Sequence, residues 1–170
     1  MIHILTDSCS DLSTALLEHF GINFISLAVS INNQSYKDRI EIDTPTLFSK
    51  VAESGMLPKT SAPSVAEFAR FFESPGESLF IGISSKLSAT INNALLASQQ
   101  NNSPVKIIDS LNLSTGIGLL ALKAAELRDA GLSADHIAEE VSLSVPKIRT
   151  SFVIDTLDYL YKGGRGSALS

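Results

Sequence analysis

Leu79-Phe80-Ile81-Gly82-Ile83, followed at once by Ser84-Ser85-Lys86-Leu87-Ser88-Ala89-Thr90, decides the fold. The first five residues are apolar without alternation, as in a strand buried on both faces. The next seven carry four hydroxyls and a lysine and lead into a helix through about Gln99. A doubly buried strand that turns directly into a helix is the unit of a parallel, helix-covered sheet. The same unit recurs on either side. Ile2 to Thr6 is a short apolar run ending in Asp7-Ser8, and Val105 to Ile108 ends in Asp109-Ser110. Thr150 to Ile154 reads as a further strand ending in Asp155-Thr156, before a helical turn over Leu157 to Tyr161.

Helical segments fill the intervals. Asp11 to Phe20 has Leu12, Ala15, Leu16 and Phe20 at helical spacing, with Ser10 or Asp11 to cap it and Gly21 to close it. Thr44-Pro45 opens a helix that Gly55 ends, with the Thr44 hydroxyl as cap and Pro45 at the first helical position. Ser64 and Glu67 form a capping-box pattern ahead of Phe68, Phe71 and Phe72. Leu113 to Ala130 is a long apolar helix ended by Gly131, and Ser133 caps another running to about Ser144. Ile22 to Ile31 reads as one β-branched strand, with a turn at residues 32–35 and a short edge strand over Tyr36 to Ile40. Leu57 to Pro63 reads as a loop. The fold class is α/β, an open, mostly parallel sheet with helices on both faces. Residues 1–160 are expected to form one domain, and 161–170 a hinge or the start of a second domain that is absent.

Composition narrows the function. Among 170 residues, 44% are hydrophobic and 18% charged, enough to bury a core. Thirteen basic residues against 18 acidic ones, with no basic run, exclude a nucleic-acid binder. The single cysteine, Cys9, excludes an internal disulfide framework and fits a reducing, cytoplasmic setting. The start MIHILTDSCSD is not a signal peptide, and no apolar run approaches the ~20 residues that span a bilayer.

Ligands of open parallel sheets bind beyond the carboxyl ends of the strands. Here those ends are Thr6-Asp7-Ser8, Ser84-Ser85 with Ser88 and Thr90, Asp109-Ser110 and Asp155-Thr156. Each pair alone is an ordinary helix cap. Gathered at one edge they make a polar nest suited to a carboxylate or phosphate. The best anion segment is Ser84 to Thr90, which contains no carboxylate. The second is Lys59-Thr60-Ser61-Ala62-Pro63-Ser64, stiffened by Pro58 and Pro63. Dinucleotide, P-loop and nucleophile-elbow motifs are missing from the sequence. His3, His19 and His136 have no partner at metal-ligand spacing. Cys9 lies between Asp7 and Asp11, which raise a thiol pKa and disfavour a nucleophile. Asp7, Asp109 and Asp155 could instead hold Mg²⁺ in a phosphotransfer or hydrolase domain, although they lack a close D-x-D arrangement. A structural or interaction domain without ligand is the third reading.

Five segments, in order along the chain, resemble the DegV family of bacterial fatty-acid-binding proteins, which includes the fatty acid kinase B subunit. They are Thr6-Asp7-Ser8 with Asp11-Leu12, Lys59-Thr60-Ser61 with Pro63-Ser64, and Ile83 to Ser88 with Thr90. Ile108-Asp109-Ser110 with Gly116 and Gly118, and Phe152 to Leu157 with Lys162-Gly163-Gly164-Arg165, complete the set. The resemblance implies the EDD fold and a cytoplasmic, non-catalytic lipid carrier. One long-chain fatty acid such as palmitate would lie between two domains, with no other cofactor. Thr60, Ser61, Ser88 and Thr90 would hold its carboxylate. A separate fatty acid kinase subunit would be the partner, and Arg165 would lie on a loop that meets that partner or touches a membrane surface transiently.

Four departures from the family pattern stand out. Ala89 replaces a family glycine and could crowd the carboxylate. Ile91 stands where an aromatic is common, and Cys9 where threonine is usual. The last and largest is length, since family proteins carry a second domain over the acyl chain. Full burial of ~15 methylenes gains about 12 kcal/mol, and half of that leaves little over an association cost of at least ~4 kcal/mol. A lone domain is therefore expected to bind weakly, or to close its groove as a homo-oligomer.

Overall fold

The computed structural model describes residues 1–153. Four strands, β1 (Ile2–Asp7), β2 (Ile22–Ile25), β6 (Glu77–Gly82) and β7 (Val105–Asp109), form a sheet in the order β2-β1-β6-β7. Every pairing is parallel. The apolar run at 79–83 is indeed central, with Leu79, Phe80 and Ile81 fully buried. Its alternate side chains feed two separate cores. Leu79 and Ile81 join Ile4 and Ile108 against α5 (Thr115–Asp129) and α6 (Ala134–Ser144), with Leu17 from α1 (Thr14–His19). Phe80 and Leu5 face Phe68 and Phe72 at α3 (Val65–Phe71), and Ile91, Ala94 and Ala97 of α4 (Thr90–Ser98). Helices thus cover both faces.

A second sheet was hidden in the sequence. β3 (Ala28–Ile31) pairs antiparallel with β4 (Gln34–Lys37) on one side and β5 (Lys59–Ser61) on the other. The expected single strand over Ile22 to Ile31 is therefore two. The chain leaves the parallel sheet at Ser26-Leu27, where the Ser8 hydroxyl accepts the Leu27 N–H and Ser26 donates to the Asp38 carbonyl. The turn shrinks to Asn32-Asn33, both at positive φ, as a tight two-residue hairpin requires. The edge strand accordingly runs over Gln34–Lys37 rather than Tyr36 to Ile40. The expected loop over Leu57 to Pro63 contains β5, whose partner is distant in sequence.

Helix starts also move. Asp7 accepts the Cys9 N–H, which tightens Ser8–Ser10 into a 3-10 turn, and Asp11 sits at φ 52. The helix starts only at Thr14, capped by Ser13, not by Ser10 or Asp11. Asp43, not Thr44, caps α2 (Thr44–Ser54), which places Pro45 second. The Ser64–Glu67 capping box and the Ser133 cap form as expected. Thr150 to Val153 carries no strand. Ile154, Asp155-Thr156, the turn at 157–161, the boundary at 160 and Arg165 lie outside the described residues.

Candidate functional site

The parallel sheet changes winding direction between β1 and β6, so a crevice opens beyond their carboxyl ends. Register brings those ends level, with Asp7 beside Ile25 and Gly82 beside Asp109. β5 of the small sheet forms a further wall. Together they bound a cavity of about 370 Å³. Its apolar wall includes Leu27, Ile83, Leu87, Leu113 and Phe152. Its polar wall includes Thr60, Ser61 and Ser88, with Asp11 and Asp38 also on the lining. A larger, more open depression of about 620 Å³ follows the outer edge of β2, rimmed by Glu18, Arg70 and Glu73. It gathers no set of hydroxyls at strand carboxyl ends, so the smaller cavity is the candidate.

Three of the four expected ligands meet there. Thr60 and Ser61 are exposed on β5, held to β3 through the pairs Val29–Thr60 and Ala28–Ser61. Ser88 reaches the cavity from the turn before α4. Thr90 does not line it. Thr90 is fully buried behind Ser88, its hydroxyl 2.8 Å from the Ser88 hydroxyl. Its backbone N–H also donates to the Ser88 oxygen. Either hydroxyl can donate in that pair; when Thr90 donates, both bonds enter the Ser88 oxygen and Ser88 can turn its own O–H toward a ligand. Ala89 occupies the N-cap of α4, exposed and outside the cavity wall, so its methyl does not crowd the site.

Two other hydroxyls of the two anion segments, those of Ser64 and Ser84, are committed elsewhere. Ser64 is spent on its capping box. Ser84 is buried and accepts the Lys86 N–H. The Ser85 N–H donates to Asp109, so a carboxylate does adjoin this turn.

Asp7 is the buried charge of the site. One oxygen accepts the Ile83 N–H at 2.7 Å and the other the Cys9 N–H at 3.0 Å. Burial outweighs these bonds and raises its pKa from 3.8 to about 6. Burial, then Asp7, Asp38 and Asp11, push the Cys9 thiol far up, so it stays protonated. Asp7 and Asp109 both serve backbone N–H groups. Among the described residues, no group of three or more His, Cys, Asp or Glu could hold a metal ion. His3 contacts the Pro75 carbonyl, 72 positions along the chain, and His136 the nearby Ser133 hydroxyl. No helix among the described residues is long and apolar enough to cross a membrane.

A family profile for the DegV family of uncharacterised proteins matches residues 1–170. The chain belongs to the DegV family. A DegV domain-containing protein of Caldanaerobacter subterraneus is 37% identical over 169 residues, covering 96% of this chain and 60% of its own length. The chain thus spans about 60% of the length of the curated DegV relatives it matches. DegV of Bacillus subtilis, described as a fatty acid binding protein, superimposes with a TM-score of 0.93 at 31% identity, over 98% of this chain and 61% of that one. A DegV family protein of Thermus thermophilus, described by its fatty acid binding, gives 0.87 at 34% identity over 99% and 62%. The fold, and the lipid-binding character of related DegV proteins, match what the five segments implied.

Sequence reasoning missed Ser114, Leu27, Asp38 and Phe152 as cavity residues. Only the nearby Gly116 and Gly118 hinted at the β7–α5 loop. A Cβ at Gly118 would stand 2.9 Å from the Ser10 carbonyl oxygen, so that glycine lets α5 pack closely on the 3-10 turn. A Cβ at Gly116 would meet the Asn112 side chain at 2.7 Å.

Proposed function

We infer that this protein binds one long-chain fatty acid in the cavity at the β1–β6 switch point. The observation that carries the reading is the pairing of an apolar wall with the hydroxyls of Thr60, Ser61 and Ser88. An acyl chain lies along Leu27, Ile83, Leu113 and Phe152, and its carboxylate accepts from the hydroxyls. Thr90 acts through Ser88, by fixing the direction of its O–H. Related DegV proteins described as fatty acid binding support this choice of ligand.

The protein is a carrier rather than a catalyst in this reading. Asp7 and Asp109, the acids expected to hold a metal, are occupied by backbone N–H groups, which favours the carrier over the Mg²⁺ reading. A separate fatty acid kinase subunit is the partner to which the lipid is presented. The cavity is open, so a further surface, from a second domain, a second copy or the partner, completes its cover.

Ser88→Ala and Thr60→Ala are each expected to weaken palmitate binding by roughly tenfold to a hundredfold, the worth of one hydrogen bond to a charged group. Fluorescent fatty acid displacement by palmitate measures this. Equal affinities in wild type and both variants would remove the carboxylate assignment.

A further inference from the structure

The geometry points to Ser114 as a fourth ligand of the acid head, on the β7–α5 wall of the cavity, between Asp109-Ser110 and Gly116. This rests on the fatty-acid reading above. Ser114 lines the cavity from the β7–α5 loop, whereas Thr60 and Ser61 come from β5 and Ser88 from the β6–α4 turn. Hydroxyls therefore reach the cavity from three separate chain segments. An ionised carboxylate offers two oxygens with about four lone-pair positions, which four O–H donors can fill.

What the hydroxyl does not do is as informative. Among the described residues, four serines stand at α-helix N-caps. Ser13, Ser64 and Ser133 have extended backbones, with φ of −63, −70 and −70, and each side chain accepts an N–H of its own helix. Ser114 stands at φ 53 and ψ −130 and makes no side-chain cap bond. Its carbonyl alone serves α5, accepting from Ile117 and Gly118. Glycine would hold this backbone with less strain. A hydroxyl-bearing residue stands there instead, and that hydroxyl does no capping work. Ser8 gives the contrast on the same cavity, because it is buried and its oxygen is taken by the Leu27 N–H. Ser8 is structural, while the Ser114 hydroxyl has no hydrogen-bond partner among the described residues.

The test compares wild type, Ser114→Ala and Ser114→Gly for binding of palmitate and of hexadecanol, which keeps the chain but lacks the carboxylate. Both variants are expected to bind palmitate roughly tenfold to a hundredfold more weakly. Hexadecanol affinity should change less than threefold. Ser114→Gly should melt no lower than wild type, since its backbone suits φ 53, so weaker binding cannot be put down to a damaged fold. Palmitate binding unchanged in both variants while Ser88→Ala loses it would overturn the role of Ser114 and leave the fatty-acid reading standing. An equal loss for palmitate and hexadecanol would also overturn it, by showing a role in cavity shape alone. Palmitate binding by none of the proteins, wild type included, would remove the reading itself and the assignment with it.

Discussion

Phe80→Ala is expected to destabilise the protein by about 3–5 kcal/mol, the usual cost of deleting a buried aromatic side chain. Phe80 is fully buried in the central strand β6. Its ring meets Phe68 edge-on, with centroids 5.2 Å apart, and Phe72 at 6.0 Å. Those two rings anchor α3 to the sheet, and α3 follows directly on β5 and its Thr60-Ser61 pair. The same substitution therefore loosens one wall of the cavity. A domain of this size has a total stability of about 5–15 kcal/mol, so the loss is a large fraction of it. Urea unfolding monitored by far-UV circular dichroism measures the effect as a lower midpoint with an unchanged slope. A loss below about 1 kcal/mol would show that the aromatic cluster is not close-packed.

The second large effect belongs to Asp7 and depends on pH. Its carboxyl has a folded-state pKa of about 6 against an ordinary 3.8, chiefly because it is buried. Between those values the folded protein holds a proton that the unfolded chain has released. Stability from this group is thus fully present below about pH 3.8 and is lost as pH rises through 6. The difference amounts to about 3 kcal/mol. Asp43, Glu67, Asp129 and Asp135 have lowered pKa values through hydrogen bonds to nearby groups, so their contributions run the other way. Comparison with Asp7→Asn removes that background. Wild type should gain about 2–3 kcal/mol on Asp7→Asn as pH falls from 7 to 4. Chemical denaturation of both proteins at each pH reads it directly. A stability difference that stays flat with pH would show that Asp7 does not carry this charge.

Asp7 also explains why the chain retains a costly buried acid. Its two oxygens tie the Cys9 N–H to the Ile83 N–H, and both residues line the cavity. Asparagine keeps the shape but offers only one accepting oxygen, so one of those two N–H groups loses its partner. The floor of the cavity is therefore fixed by the ionised side chain. Its stability cost falls on the same group that shapes the site.

The parallel sheet was legible because its strands are short and apolar on both faces, as at Leu79 to Ile83. Caps at Ser64 and Ser133 were legible because their partners lie three residues away. The antiparallel sheet was not. Ile22 to Ile31 is rich in β-branched residues and only partly alternating, with no Gly or Pro inside it, so no turn residue marks the change of sheet at Ser26-Leu27. β5 is three polar, exposed residues whose only reason to be extended is a partner some thirty positions earlier. The hydroxyl-rich segments border the cavity, yet sequence could not separate Ser88, which lines it, from Thr90, buried two residues later. Ser114 itself was not legible beyond the nearby Gly116 and Gly118, because its proposed role depends on a backbone angle and on a wall built by other segments.

The central claim is that this cavity holds a fatty acid. Mass spectrometry of the organic extract from purified protein, incubated with palmitate and freed of excess lipid, tests it most directly. The account predicts about one palmitate per chain for wild type, with much less retained by a Thr60→Ala, Ser88→Ala double variant, as expected from the loss of two hydrogen bonds to a charged head. Recovery of no palmitate from wild type, or of equal amounts from both proteins, would contradict it.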